Sequence, residues 1–489
     1  LTASYISGSG ATAVLTAKQT VTFVGVAYLK VDVGQAPIET ATVVPNADGS
    51  AAVNVTFSKS AAAGHYQGDI IINVCKDANC TSHLSGSPFK LPYAIDIIPA
   101  EGGFAYYNLK PLVALAGAPD WGTQQGNAQH TGYVPVTLDP ASFSARWKWL
   151  VPASNGLLTP TTSVASGGNR LYLGTGGDWI MSNPSHKIRA LNEHDASEAW
   201  AFSFDDLRFP SVNPPAYAAG MVYMSAGQQD STWMFGFDAA TGSLKFKSRM
   251  SSQWETYLAP TVFNGVVYSD GGSYGGLYAF DSISGELKFF AGLPQYDGWT
   301  PAFDETNAYV YLDGSLHVLD PASGAERNRI ADPLYSWNGY SPRIAPVVGS
   351  DGLVFGGNRN AQVDNSLIGF DVAAGNARWS VKGDFPGACA YADKLLFCAN
   401  NASHALEVRS ATDGAVAWQW AQPAGETFIG DALVTRNLIF ISTAGKTYAI
   451  DRATHGVVWS YAAGGQLAMT GNGTLIITKA GSVVAINLH

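Results

Sequence analysis

At 489 residues the chain is longer than one ordinary domain of roughly 100 to 200 residues, so two domains are expected. Fifty-three glycines, 12% aromatic and only 13% charged residues describe many short strands joined by tight turns, and exclude a helical enzyme or a disordered tail. The formal net charge is -10, and residues 1–98, with five Lys against six Asp or Glu, leave about -9 on the remainder; nucleic acid is excluded as a partner, because neutralising phosphate needs a basic face.

No apolar run is long enough for a membrane span, and Leu1 is not followed by a charged and then an apolar leader, so a soluble chain with any export signal already removed is expected. The first 98 residues hold alternating runs: TVTFVGVAYLKVDV from Thr20, AAVNVTFS from Ala51, GHYQGDIIINVC from Gly64 and PFKLPYAIDII from Pro88. Period-two runs with turns such as NADG between them predict a β-sandwich. A stretch rich in Pro, Gly and Ala, residues 99–120, reads as a linker, and all 13 tryptophans lie at or after Trp121.

From residue 121 onward one element recurs, of the form apolar, Asp, two residues, small or Thr, Gly, three residues, aromatic, matched in most positions by each copy and with the closing residue always eight places after the anchor. The copies are LNEHDASEAW, FDAATGSLKF, FDSISGELKF, LDPASGAERN, FDVAAGNARW, RSATDGAVAW and IDRATHGVVW, on Asn192, Asp238, Asp281, Asp320, Asp371, Ser410 and Asp451. Anchors recur every 39 to 51 residues. An acidic side chain can accept the backbone N–H groups of such a turn, and Gly tolerates positive φ there. The closing Trp or Phe then starts an outer strand, where a packing role is expected. After Asp451 the chain supplies three strands and stops, while TLDPASFSARWKWLV, with Asp139 and Trp147, carries the missing outer strand; pairing the two ends closes a ring and protects its edges.

The repeat resembles that of the pyrroloquinoline-quinone-like propeller family, and WGTQQGNAQHTGY from Trp121 resembles the lead-in to its first blade. The resemblance implies an eight-bladed β-propeller over residues 121–489, similar in size to the non-catalytic, BamB-like branch, whose members bind protein partners and no quinone. Segment AGHYQGDIIINVCKDANCTSHLSGSPFKLPYAIDI is similar to immunoglobulin-like modules that precede catalytic or binding domains in exported bacterial proteins, a departure from the BamB-like branch. Enzymes of the family hold quinone and calcium over a ring of two adjacent cysteines. This chain has no Cys-Cys pair and no Cys-x-x-Cys-His motif, so no cofactor and no metal are expected. Its cysteines form two close pairs, Cys75 with Cys80 and Cys389 with Cys398, expected as disulfides of an exported, periplasmic, outer-membrane-associated or surface protein. The second pair is expected to cross-link the first two strands of the sixth blade.

Four-stranded blades put the repeat turns on one face and the blade-to-blade loops on the other. The latter loops carry Trp254, Glu255, Tyr257, Tyr296, Asp297, Trp299, Trp337, Tyr340 and Arg343, expected as a recognition surface for an envelope or surface protein or a glycan. Against this stands the reading that the rings fill the channel ends and the clefts between blades. The alternative function is a polysaccharide lyase or hydrolase, or a quinone-dependent oxidoreductase, acting at the same mouth. No catalytic constellation is apparent: His186 and His194 lack a framing motif, and Asp205 and Asp206 with Arg208 read as solvated charges.

Overall fold

The computed structural model describes residues 1–489 apart from 7–9, 18–25, 34–36, 47–49, 62–63, 99–102, 152–157, 177–185, 205, 208–210, 229–230, 253–255, 338–342, 344 and 359–364. The fold is all-β, in two compact units: Leu1–Ala105 with Trp149–Leu158, and Tyr106–Lys148 with Thr159–His489.

The first unit holds two sheets. One has four strands, with Phe89–Ile98 between Thr2–Ile6, which runs parallel to it, and Gly64–Cys75, which runs antiparallel and also pairs with Tyr28–Asp32. The other places Ala51–Phe57 between Ala11–Ala17 and Ile38–Pro45. Alternation does what the sequence predicts: Ala51–Phe57 buries every second side chain. Val53, Val55 and Phe57 of one sheet join Tyr5, Ile70, Ile95 and Ile97 of the other in one apolar cluster. Cys75 and Cys80 are disulfide-bonded across the turn after the long strand.

The second unit holds eight successive sheets among the described residues. The fourth is representative, a meander of Ala302–Phe303, Ala308–Leu312, Ser315–Leu319 and Glu326–Ala331. Its second strand is buried throughout, whereas its outer strand leaves all but Ile330 exposed. A strand buried on both faces must be covered on both, which is why AYVYL reads as continuously apolar and not as alternating. The covers are the neighbouring sheets. Apolar clusters join the first sheet to the second, the second to the third, and so on through the sixth to the seventh. There is no single core; it is divided among wedges between sheets, as in a β-propeller.

Each repeat turn caps itself. Asp238 Oδ1 accepts from the N–H groups of Ala240 and Thr241 and from the Thr241 hydroxyl, and Gly242 N–H returns to the Asp238 carbonyl. Asp281, Asp320 and Asp451 repeat the arrangement. The turn residue four places after the anchor has φ between 57° and 72° in all seven copies; it is Gly in five, and Ala196 and His455 in the others. The glycine also serves the preceding sheet. A Cβ at Gly242 would stand 2.5 Å from the Trp200 ring, whose Nε1–H donates to the Ala239 carbonyl at 2.9 Å. Trp379 lies on Gly414 in the same way and donates to Ala411. The Gly and Trp of the repeat thus meet across sheets, not within one. At the seventh turn His455 stands where Gly is usual, and its ring stacks on Trp418 at 3.9 Å.

The eighth sheet runs Gln466–Met469, Thr474–Lys479, Ser482–Asn487 and then Ser144–Leu150, so the outer strand comes from the other end of the unit, as the sequence predicts. First and eighth sheets are bolted together by Glu193. Its buried carboxylate accepts from the hydroxyls of Thr470 and Thr474, each at 2.7 Å, and from Asn472 at 2.9 Å, while its carbonyl accepts from Trp147 Nε1–H. Part of the predicted linker is fixed to the eighth sheet too, through Leu115 N–H to the Gly471 carbonyl.

Candidate functional site: a loop-lined mouth beside a central plug

The segment Trp121–Val134 is the hub of the second unit. Carbonyls of Trp121, Gly122, Ala128, Gln129, Thr131 and Gly132 accept from N–H groups of Ser166, Tyr217, Phe303, Val348, Tyr391 and Val434, on the innermost strands of the first, second, fourth, fifth, sixth and seventh sheets. The third sheet is reached by side chains: Thr123 donates to the Pro260 carbonyl at 2.7 Å, and His130 Nε2 meets the Thr261 hydroxyl at 3.0 Å. The short helical turn Gln124–Gly126 lies against the first strand of the eighth. Glycine is required for the approach: a Cβ at Gly132 would stand 2.8 Å from the Ala432 carbonyl, and φ there is 60°. The lead-in motif is therefore a plug, a role its sequence did not disclose.

His130 is fully buried within the plug, with Nδ1 3.0 Å from the Pro346 carbonyl. That acceptor requires Nδ1 to carry the proton, leaving Nε2 to accept from Thr261. Burial pushes the imidazole down to about 4, against a partial opposing pull from the Pro346 carbonyl, so the ring is neutral at neutral pH.

On the side of the blade-to-blade loops a cavity of about 420 Å³ opens. Its wall is supplied by Thr161 and Thr162 ahead of the first sheet, Asn213 ahead of the innermost strand of the second, Tyr257 ahead of the third, Gly298 ahead of the fourth and Arg343 ahead of the fifth. These residues precede the inner strands, whereas the plug bonds the strands themselves.

Of the nine residues expected on this face, the structure brings Tyr257 and Arg343 to the cavity. Tyr257, Tyr296 and Trp299 are not an open aromatic ring: they are 1%, 5% and 1% exposed and belong to the wedges between sheets two, three and four. Trp299 Nε1–H donates to the Tyr296 carbonyl, and Tyr296 Oη meets Asp313 and Tyr335 at 3.1 and 3.0 Å. The loops fold inward because their large rings fill the widening end of each wedge. Asp297 is buried with them, whereas Trp337, at 59% exposed, and Arg343 face solvent. Trp254, Glu255 and Tyr340 lie outside the described residues.

Both cysteine pairs are oxidised. Cys389 stands one place ahead of Ala390–Ala392 and Cys398 on Leu395–Asn400, so the second bond does join the first two strands of the sixth sheet; Gln125 of the plug donates to the Cys389 carbonyl. No ring of adjacent cysteines is available to a quinone. Among the described residues the one group of three metal-ligating side chains is Cys75, Cys80 and His83, whose sulfurs are bonded to each other. These residues do not fit a quinone with its calcium. His186 and His194 flank the strand Lys187–Asn192 and so stand at its opposite ends, about 20 Å apart at strand rise. Asp206 is exposed and pairs with Lys247 at 3.9 Å, while Asp205 and Arg208 lie outside the described residues.

Fold and site together define a β-propeller of quinone-type repeats with a plugged centre and a loop-lined mouth. The chain belongs to the family described as outer membrane protein assembly factor BamB, whose model matches residues 184–420 and 363–489. No curated protein matches by sequence. Among solved structures, the computationally designed Ika8 protein is similar in fold, with 13% identity and a TM-score of 0.50 over 68% of this chain and 97% of its own. Hsv2 of Kluyveromyces lactis aligns at 8% identity over 62% of this chain and 99% of its own, at a TM-score of 0.41 that carries no argument. No helix among the described residues is long and apolar enough to cross a membrane.

Proposed function

We propose that this chain is an exported, non-catalytic binding protein: an immunoglobulin-like sandwich followed by an eight-bladed propeller, ring-closed by Ser144–Leu150, that holds an envelope or surface partner on its blade-to-blade face. The observation that carries this reading is the mouth, where loops of five consecutive sheets converge on one cavity. Such a surface offers shape and anchors. Trp337 is the exposed anchor, and truncating an aromatic at a binding hot spot commonly costs about 2 kcal/mol or more. The family's description as an assembly factor favours a protein over a glycan, and two buried or turn-closing disulfides favour an oxidising compartment.

The test is capture from an envelope extract beside a glycan array and a panel of polysaccharides for cleavage. Trp337→Ala is expected to lose capture while its melting temperature stays within the range of an ordinary surface change. Trp299→Ala is the control: it removes a buried ring, at about 3 to 5 kcal/mol, and must act through stability. Cleavage of any polysaccharide by the wild-type chain overturns the reading in favour of an enzyme.

A further inference from the structure

We propose a second binding site, on the repeat-turn face between the sixth and seventh sheets, that takes an aromatic ring carrying a hydroxyl: a phenol whose O–H donates to the Arg452 carbonyl and whose ring lies beside Trp418. It does not depend on the mouth.

In the repeat turns the residue after the anchor directs its carbonyl towards the preceding sheet, which supplies a donor. Tyr172, Tyr223 and Tyr268, on the second strands of the first three sheets, donate to the carbonyls of Ala239, Ser282 and Pro321 at 3.3, 3.0 and 2.7 Å. Trp200 and Trp379 donate through Nε1 to Ala239 and Ala411. The seventh turn is built alike: Asp451 caps it, and Arg452 N–H donates to the Asn437 carbonyl as Ala239 N–H does to Gly220 and Ser282 N–H to Gly265. The Arg452 carbonyl therefore faces the sixth sheet, yet among the described residues nothing donates to it.

Two side chains account for the difference. Phe397 holds the register place of the three tyrosines, each paired with the residue two before its anchor, and has no hydroxyl to offer. His455 replaces the turn glycine, and its imidazole lies on the Trp418 ring with planes 10° apart. The indole thus rests on the imidazole and not on the turn, and its N–H makes no hydrogen bond, unlike those of Trp200 and Trp379.

A cavity of about 280 Å³ lies at this place, walled by Leu395, Phe397 and Trp418 of the sixth sheet and by Arg436, Asn437 and the turn Asp451–Ala453 of the seventh. A cavity of roughly 150 Å³ already holds benzene, so a ring with a short substituent fits. The Arg452 guanidinium is committed to Asp393 and to the carbonyls of Thr435 and Arg436, and lies 5.0 Å over Phe397. With that cation engaged and the Asp451 carboxylate in the wall, the cavity offers a ligand apolar and aromatic contact and one acceptor, not an anion site. A hydroxyl on a ring meets both, as the chain's own tyrosines do in three other wedges.

The experiment titrates the whole chain with 4-hydroxyphenylacetamide and with 4-methoxyphenylacetamide, which keeps the ring and lacks the donor. The hydroxy compound is expected to bind saturably, one per chain and at least tenfold more tightly. Phe397→Tyr supplies the hydroxyl from the chain itself, and His455→Gly restores the glycine on which Trp200 and Trp379 sit. Each is expected to weaken the hydroxy compound at least tenfold without lowering the melting temperature, because each fills the site and removes no buried group. Trp337→Ala, at the mouth, should bind it as the wild type does. N-acetyltyrosinamide separates the sources of such a ring: binding equal to that of the simple phenol supports a tyrosine of a polypeptide, and loss of binding supports a free phenol. Equal binding of the two amides, no saturable binding of the hydroxy compound, or full binding in either filling variant overturns the inference.

Discussion

His130 is a neutral imidazole sealed into the centre of the second unit, and a charge there would have no water. Its folded value of about 4 lies below the ordinary 6.5, so between those limits the unfolded chain binds the proton and the folded chain does not. The contribution is therefore fully present above about pH 6.5 and is lost as the pH falls towards 4, for a total of roughly 3 kcal/mol. Asp238, Asp281 and Asp451 act in a lower window. Hydrogen bonds from the Thr241 hydroxyl, the Ser284 N–H and the Thr454 N–H respectively lead in holding these carboxyls below the usual range, and their support fails only as the pH falls below about 4. Melting temperatures from pH 8 to 3 should fall in two stages, and His130→Gln should flatten the upper one. An upper stage that persists in His130→Gln places the titrating group elsewhere.

The repeat turn is the element on which the fold is built, and its aromatic and glycine belong to different sheets. Gly414→Ala would place a Cβ 2.7 Å from the Trp379 ring at φ 72°, so it strains both the turn and the ring. Trp379→Ala removes the obstacle together with the buried ring. In a double-mutant cycle by denaturant unfolding, the cost of Gly414→Ala should shrink by about 1 kcal/mol or more in the Trp379→Ala background. Strict additivity contradicts docking across the sheets. These turns were legible in the sequence because their bonds are local: Asp238 reaches only two and three residues ahead. The plug was not, although its three glycines stood in plain view, because Gly132 meets Val434 and Gln125 meets Cys389, contacts that no local pattern encodes. Nor does a loop's composition say which way its rings turn. Trp299 and Trp337 sit in similar sequence settings, yet one is sealed in a wedge and the other faces water.

At the scale of the molecule, eight sheets are arranged around one segment that reaches every inner strand, and Glu193 bolts the last sheet to the first. The arrangement separates two faces: uniform, self-capped turns on one, and longer loops around a cavity on the other. The assignment of function to the second face is the central claim. Hydrogen–deuterium exchange of the whole chain, alone and with its captured partner, reads it most directly, since binding slows the opening of covered backbone. Protection is expected at residues 256–258, 296–299 and 333–346, around Tyr257, Trp299, Trp337 and Arg343. Protection confined to the repeat turns at Asp238–Gly242, Asp281–Gly285 and Asp451–His455 would contradict it.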